Sequence, residues 1–76
     1  MREQILRILE DINPVIISYT GDTMLLDGTI DSFEMIDIVS ELEEEFGIEI
    51  DAELVVAENF ANKETIIELM SKLLGE

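Results

Sequence analysis

This sequence offers few side chains that can do chemistry. It has no cysteine and no histidine, which removes disulfides, thiolate nucleophiles, the usual zinc ligands and the commonest general base together. One hydroxyl remains in a suggestive setting, that of Ser32 in the run Asp27-Gly28-Thr29-Ile30-Asp31-Ser32-Phe33-Glu34. Asp31 has the side chain of a helix N-cap, and Glu34, three residues on, completes a capping-box pattern. A helix is therefore expected to start at Ser32. After a flexible, glycine-containing approach its hydroxyl stands exposed on the first turn, where backbone N–H groups and the positive end of the helix dipole converge. A phosphodiester on that oxygen is favoured there by roughly 0.3–1 kcal/mol. An Asp-Ser pair at a helix start is by itself an ordinary cap, so its meaning depends on the rest of the chain.

Apolar spacing gives the elements that must position Ser32. Ile5, Ile8, Leu9 and Ile12, with Glu3, Arg7, Glu10 and Asp11 on the other face, predict an amphipathic helix over Arg2–Ile12. Pro14 disfavours helical geometry at Asn13, and Val15-Ile16-Ile17 can follow as a kinked or restarted turn. Ser18–Ile30 reads as a long loop held down by Met24, Leu25 and Leu26. The helix from Ser32 runs to about Phe46, where Gly47 supplies a left-handed stop. It buries Met35, Ile38, Val39, Leu42 and Phe46 and exposes Glu34, Asp37, Glu41, Glu43, Glu44 and Glu45.

Ile48 and Ile50 alternate with Glu49 and Asp51, but no second strand pattern exists to pair with them, so this is an extended connector. Leu54–Phe60 holds one short turn with Phe60 as a core plug. Asn62 caps a last helix carrying Ile66, Ile67, Leu69, Met70, Leu73 and Leu74. The expected fold is an all-α four-helix bundle, with a long loop between helices 1 and 2 and a short third helix. It forms one monomeric domain over residues 1–76.

Composition narrows the function classes. Seventy-six residues leave room for one modest core and no enclosed catalytic cleft. Nineteen acids against four bases give a net charge of -15, a field that repels nucleic-acid phosphates and anionic lipids and favours basic proteins or divalent cations. A 47% hydrophobic content is too high for a disordered chain. The N-terminal MREQILRILEDI has neither the long apolar run nor the cleavage site of a signal peptide, so a cytoplasmic location is expected.

The runs DGTIDSFEMIDIVSELEEEFGIEI and ENFANKETIIELM resemble the acyl and peptidyl carrier protein family over nearly the whole chain. In that family an Asp-Ser-Leu or close variant bears 4'-phosphopantetheine on the serine; Asp31-Ser32-Phe33 matches with phenylalanine in place of leucine. The resemblance implies a carrier without catalysis of its own. Ser32 would hold the arm, and Asp31 would support recognition by a phosphopantetheinyl transferase. An acyl- or aminoacyl-activating ligase and downstream synthase or transferase enzymes would be further partners. It also implies docking through the second helix, mapped here onto Phe33, Glu34, Ile36, Asp37 and Glu41. Phe33 lies off the stripe of Met35, Ile38, Leu42 and Phe46 and is expected to be exposed. Ser40 stands where many relatives have an apolar residue. Fatty acid, polyketide, nonribosomal peptide and D-alanine transfer systems all use carriers of this size. The Asp-Ser-Phe variant, the short length and the ENFAN segment lean towards a specialised or aminoacyl carrier, such as a D-alanyl carrier.

Two other readings compete. Asp27–Glu34 fits positions five to twelve of an EF-hand calcium loop, but Thr23 and Leu25 then fall at positions one and three, so two ligands are missing. No metal site is therefore assigned, although divalent cations gathering on Glu41, Glu43, Glu44, Glu45 and Glu49 would stabilise so acidic a fold. The other reading is an unmodified acidic helical adaptor that shares the fold alone.

Overall fold

A computed structural model describes residues 1–75. The first helix, α1, spans Arg2–Ile12 and buries Ile5 and Leu9. It stops where the sequence requires: Asn13, preceding Pro14, is extended at φ -159°, ψ 103°. The chain then restarts as α2, Val15–Ser18. Pro14 has φ -60° at its start, and the Val15 N–H donates to Asn13 Oδ1 at 3.1 Å. Ile16 is the buried residue of this single turn.

From Tyr19 to Asp31 the chain crosses the bundle without forming a helix. Of the three expected apolar anchors, Met24 is fully buried and Leu25 partly so, whereas Leu26 is 75% exposed. Leu26 is thus no anchor. The reason is backbone pairing: Met24 N–H donates to Ala61 O at 3.1 Å and its carbonyl accepts from Ile30 N–H at 2.9 Å, which fixes Met24 and Ile30 inward and turns Leu26 out.

The crossing delivers the chain to α3, Ser32–Phe46, which ends at Gly47 in the left-handed region, φ 64°. A residue with a Cβ is disfavoured there. Ile38 and Leu42 are the fully buried residues of α3, with Met35, Val39 and Phe46 packed at the core's edge. Two acids assigned to the solvated face depart from it. Glu34 and Glu43 are half-buried, because each serves the backbone: Glu43 accepts from Ile50 N–H at 2.8 Å, holding the extended connector against the helix.

No strand occurs among the described residues. The expected short third helix is realised as two 3-10 turns, Ala52–Leu54 and Ala57–Phe60. Phe60 is fully buried, as its plug role requires. The last helix, α4, spans Lys63–Leu73, with Asn62 and Thr65 forming a capping box, and buries Ile66, Ile67, Leu69 and Met70; Leu73 and Leu74 lie at the core's edge. The architecture is an all-α bundle of three longer helices and one short one. Its smallest extent is 20 Å, about two helix diameters, so one layer of side chains fills the space between helices. Every α-helix and the crossing contribute to that layer.

Phe60→Ala is therefore expected to destabilise the domain by about 3–5 kcal/mol, while Leu26→Ser stays within about 0.5 kcal/mol of wild type. Urea unfolding followed by circular dichroism measures both; equal midpoints for the two variants would contradict this core assignment.

Candidate functional site

The start of α3 is built by Asp31. Its backbone is extended, φ -106°, ψ 178°, and its Oδ1 accepts from Glu34 N–H at 2.8 Å. In return Glu34 Oε1 accepts from Asp31 N–H at 3.2 Å. This reciprocal cap satisfies two donors that a helix start leaves open, and a cap of this kind contributes about 1 kcal/mol. Ser32 is the first helical residue, and its side chain is exposed. Helix geometry gives the amides of Ser32 and Phe33 no intrahelical acceptor, so an oxygen at this place is open to a bulky substituent and lies at the helix end that favours an anion.

A second set of polar contacts fixes the approach. Asp27 Oδ1 accepts from Thr29 N–H at 2.9 Å and from the Thr29 hydroxyl at 2.6 Å. Its Oδ2 accepts from the Tyr19 hydroxyl at 2.6 Å, and that hydroxyl accepts from Thr23 N–H at 3.1 Å. Gly28 completes the turn at φ 83°. The Thr29 side chain, followed by Tyr19, holds the Asp27 carboxyl below the usual carboxylate range. Tyr19 also explains Gly21, where an added Cβ would stand 2.5 Å from the phenol oxygen.

These contacts count against the calcium-loop arrangement. Asp27, Asp31 and Glu34 use their carboxylates on Thr29, Tyr19 and the helix cap. Among the described residues no group of three or more acids is disposed to hold a metal ion.

Around Ser32 the surface is apolar and acidic. Phe33 is 79% and Ile36 56% exposed, as expected for Phe33 from its place off the core stripe, and Asp37, Ser40 and Glu41 are exposed beside them along α3. Glu34 stands apart from these docking candidates because its carboxylate is spent inside the fold. Exposed Leu26 precedes the site on the crossing, a large apolar residue that its neighbours Met24 and Leu25 disguised in the sequence. Asn13 was also hidden: it reads only as the residue before a proline, yet its side chain reaches Glu34.

The basic residues lie elsewhere. Arg2 makes a two-pronged pair with Glu64 at 2.7 and 2.9 Å, Lys72 is 3.6 Å from Glu68, and Lys63 donates to Ile17 O at 2.6 Å. Arg7 lines a shallow groove on α1 and α2 with Glu3, Leu6, Glu10 and Ile17, a groove that contains none of the candidate site residues. No base lies in α3, so its acids have no cation on their own helix.

Asp27 supplies a pH prediction. A depressed folded-state pKa means that its contribution is fully present above the unfolded value and is lost as pH falls through the lower folded one. Carboxyl carbon shifts should show Asp27 titrating below an unfolded aspartate, with protection of the Thr29 amide lost over the same acidic interval. Ordinary titration of Asp27 together with an unprotected Thr29 amide would contradict the Asp27 contacts with Thr29 and Tyr19.

Residues 3–69 match the family described as phosphopantetheine attachment site. The comparisons with curated proteins and with solved structures give no match. The matched span takes in α1 from Glu3 on, the crossing, the Ser32 turn, the whole of α3 and most of α4. The chain belongs to the phosphopantetheine attachment site family: it is a carrier protein that bears a covalent 4'-phosphopantetheine arm, and not an enzyme.

Proposed function

We propose that Ser32 is the residue that carries the arm, and that the domain shuttles an acyl or aminoacyl group between enzymes. One observation supports Ser32 above all: an exposed hydroxyl on the first residue of a long helix, inside a complete capping box. The other serines lack this setting. Ser18 ends the short α2 and donates to Val15 O, Ser40 lies in the middle of α3, and Ser71 is half-buried near the end of α4.

In the modification, Ser32 Oγ attacks the pantetheine-bearing phosphorus of coenzyme A. A new P–O ester bond forms and the bond to the bridging oxygen of the diphosphate breaks. Adenosine 3',5'-bisphosphate leaves, and the hydroxyl proton passes to a base on a phosphopantetheinyl transferase. The arm supplies the thiol that this cysteine-free chain lacks. The chain supplies the exposed attachment point and the surface that partners recognise.

Phe33, Ile36, Asp37 and Glu41 are the docking residues of this reading. Exposed apolar side chains give contact area, and acids without a cation on their own helix attract basic patches. The partners are the transferase, an activating ligase that loads cargo, and the synthase or transferase enzymes that receive it. In this reading the chain acts as one monomeric domain in the cytoplasm. No helix among the described residues is long and apolar enough to cross a membrane. The Asp-Ser-Phe variant, the short length and the ENFAN segment favour a specialised or aminoacyl cargo, of which D-alanine is one example.

Intact mass after incubation with a broad-specificity transferase and coenzyme A tests the attachment. Wild type gains one phosphopantetheine and Ser32→Ala none; gain in both, or in neither with a proven transferase, sinks the assignment. Docking has its own test. Asp37→Lys with Glu41→Lys should raise KM for the transferase several-fold and flatten its dependence on ionic strength; an unchanged KM would move the docking surface elsewhere.

A further inference from the structure

One side chain outside the capping box reaches into it. Asn13 is half-buried at the end of α1, and its polar groups are used on four parts of the fold. Its backbone N–H donates to Leu9 O at 2.9 Å, closing α1. Its Oδ1 accepts from Val15 N–H, starting α2. Its Nδ2 donates to Glu34 Oε2 at 3.0 Å and to Thr29 O at 3.4 Å. Glu34 is thereby held from two sides, with Oε2 on Asn13 and Oε1 on the Asp31 N–H. The Asp31 and Glu34 backbones bracket Ser32, so Asn13 ties the Ser32 turn to the far end of α1.

Only a side-chain amide meets these demands, with two donors for the carboxylate and the carbonyl and one acceptor for the amide. An aspartate there would place a second carboxylate about 3 Å from Glu34, and a serine is too short. The sequence explanation, a residue made extended by Pro14, accounts for the backbone of Asn13 and not for its side chain.

We infer that Asn13, acting through Glu34, is a positioning residue that holds the Ser32 hydroxyl in place for phosphopantetheine transfer. The inference rests on Ser32 being the attachment residue. The hydrogen bonds of Asn13 go to Leu9, Val15, Ile16, Thr29 and Glu34, not to Ser32 or the exposed docking residues of α3. Its loss therefore loosens the turn and leaves the face formed by Phe33, Ile36, Asp37 and Glu41 in place. Misplacing a reacting group by about 1 Å costs up to about a hundredfold in rate, so modest loosening is read in kcat rather than KM.

The experiment is steady-state phosphopantetheinylation of the full chain by a broad-specificity transferase with coenzyme A. Wild type is compared with Asn13→Ala, Asn13→Asp, Glu34→Ala and the double alanine variant, with thermal melts of each. Expected are a kcat about tenfold lower for Asn13→Ala, KM within about twofold, and a double variant little worse than Glu34→Ala alone, since the two residues act in series. Asn13→Asp should fall at least as far as Asn13→Ala. Should Asn13→Ala be unfolded at the assay temperature, Asn13→Asp and a lower temperature carry the comparison.

Wild-type kcat in the folded variants, an effect confined to KM, or strictly additive losses would overturn the role of Asn13. Those results leave the Ser32 assignment standing if wild type gains the arm. Absence of any gain in wild type overturns both.

Discussion

The domain depends on how the segment between Tyr19 and Asp31 is held against the bundle. It has no helix to satisfy its backbone, yet it must cross from the end of α2 to the start of α3 and leave Ser32 facing solvent. Two kinds of contact accomplish this. Met24 and Ile30 are buried, with Met24 also bonded through its backbone to Ala61, so apolar burial fixes the depth of the segment. Asp27, held by Tyr19 and Thr29, fixes its turn. A further tie runs from Asn62 Nδ2 to Gly21 O at 3.1 Å, linking the crossing to the cap of α4. Buried backbone groups must find partners, and here polar side chains provide many of them.

The fold assigns most of its well-placed polar groups to structure and leaves the site almost bare of them. Asp31, Glu34, Asn13, Asp27 and Thr65 all bond to backbone or to one another. The acids on either side of the Ser32 turn, Asp31 and Glu34, each place a carboxylate oxygen in the cap. On the proposed reading of Ser32, that suits a residue modified by another protein. It also agrees with a family whose reactive thiol sits on the arm and not on the chain.

Periodicity and capping chemistry made the helices legible. α1 and α4 show their apolar stripes, Asp31 and Asn62 are clear N-caps, and Gly47 marks a stop that needs a positive φ. The exposed, helix-starting setting of Ser32 was legible for the same reason, since it is a cap written in adjacent residues. Three consecutive apolar residues, Met24-Leu25-Leu26, gave no period from which to choose the inward one, and a backbone bond to Ala61, far along the chain, made the choice. Glu34 and Glu43 looked like members of a solvated acidic run because acids on an outer helix face usually are. Their half-burial follows from partners, Asn13 and the Ile50 amide, that helical spacing cannot reveal. The restart at Val15 had a similar origin, in the Asn13 side chain rather than in helix propensity.

The confinement of all four bases to α1 and α4, with six acids along α3, has a consequence at a distance. The charge distribution is uneven, so the domain has a dipole as well as a net charge. A cationic surface approaching by diffusion exerts a torque on it before any contact is made, and turns the acidic helix towards itself. Successful encounters then need less random rotational searching, which raises the association rate without strengthening the final complex. On the proposed reading, a carrier that meets several enzymes in turn, and leaves each one, gains from fast arrival joined to modest grip.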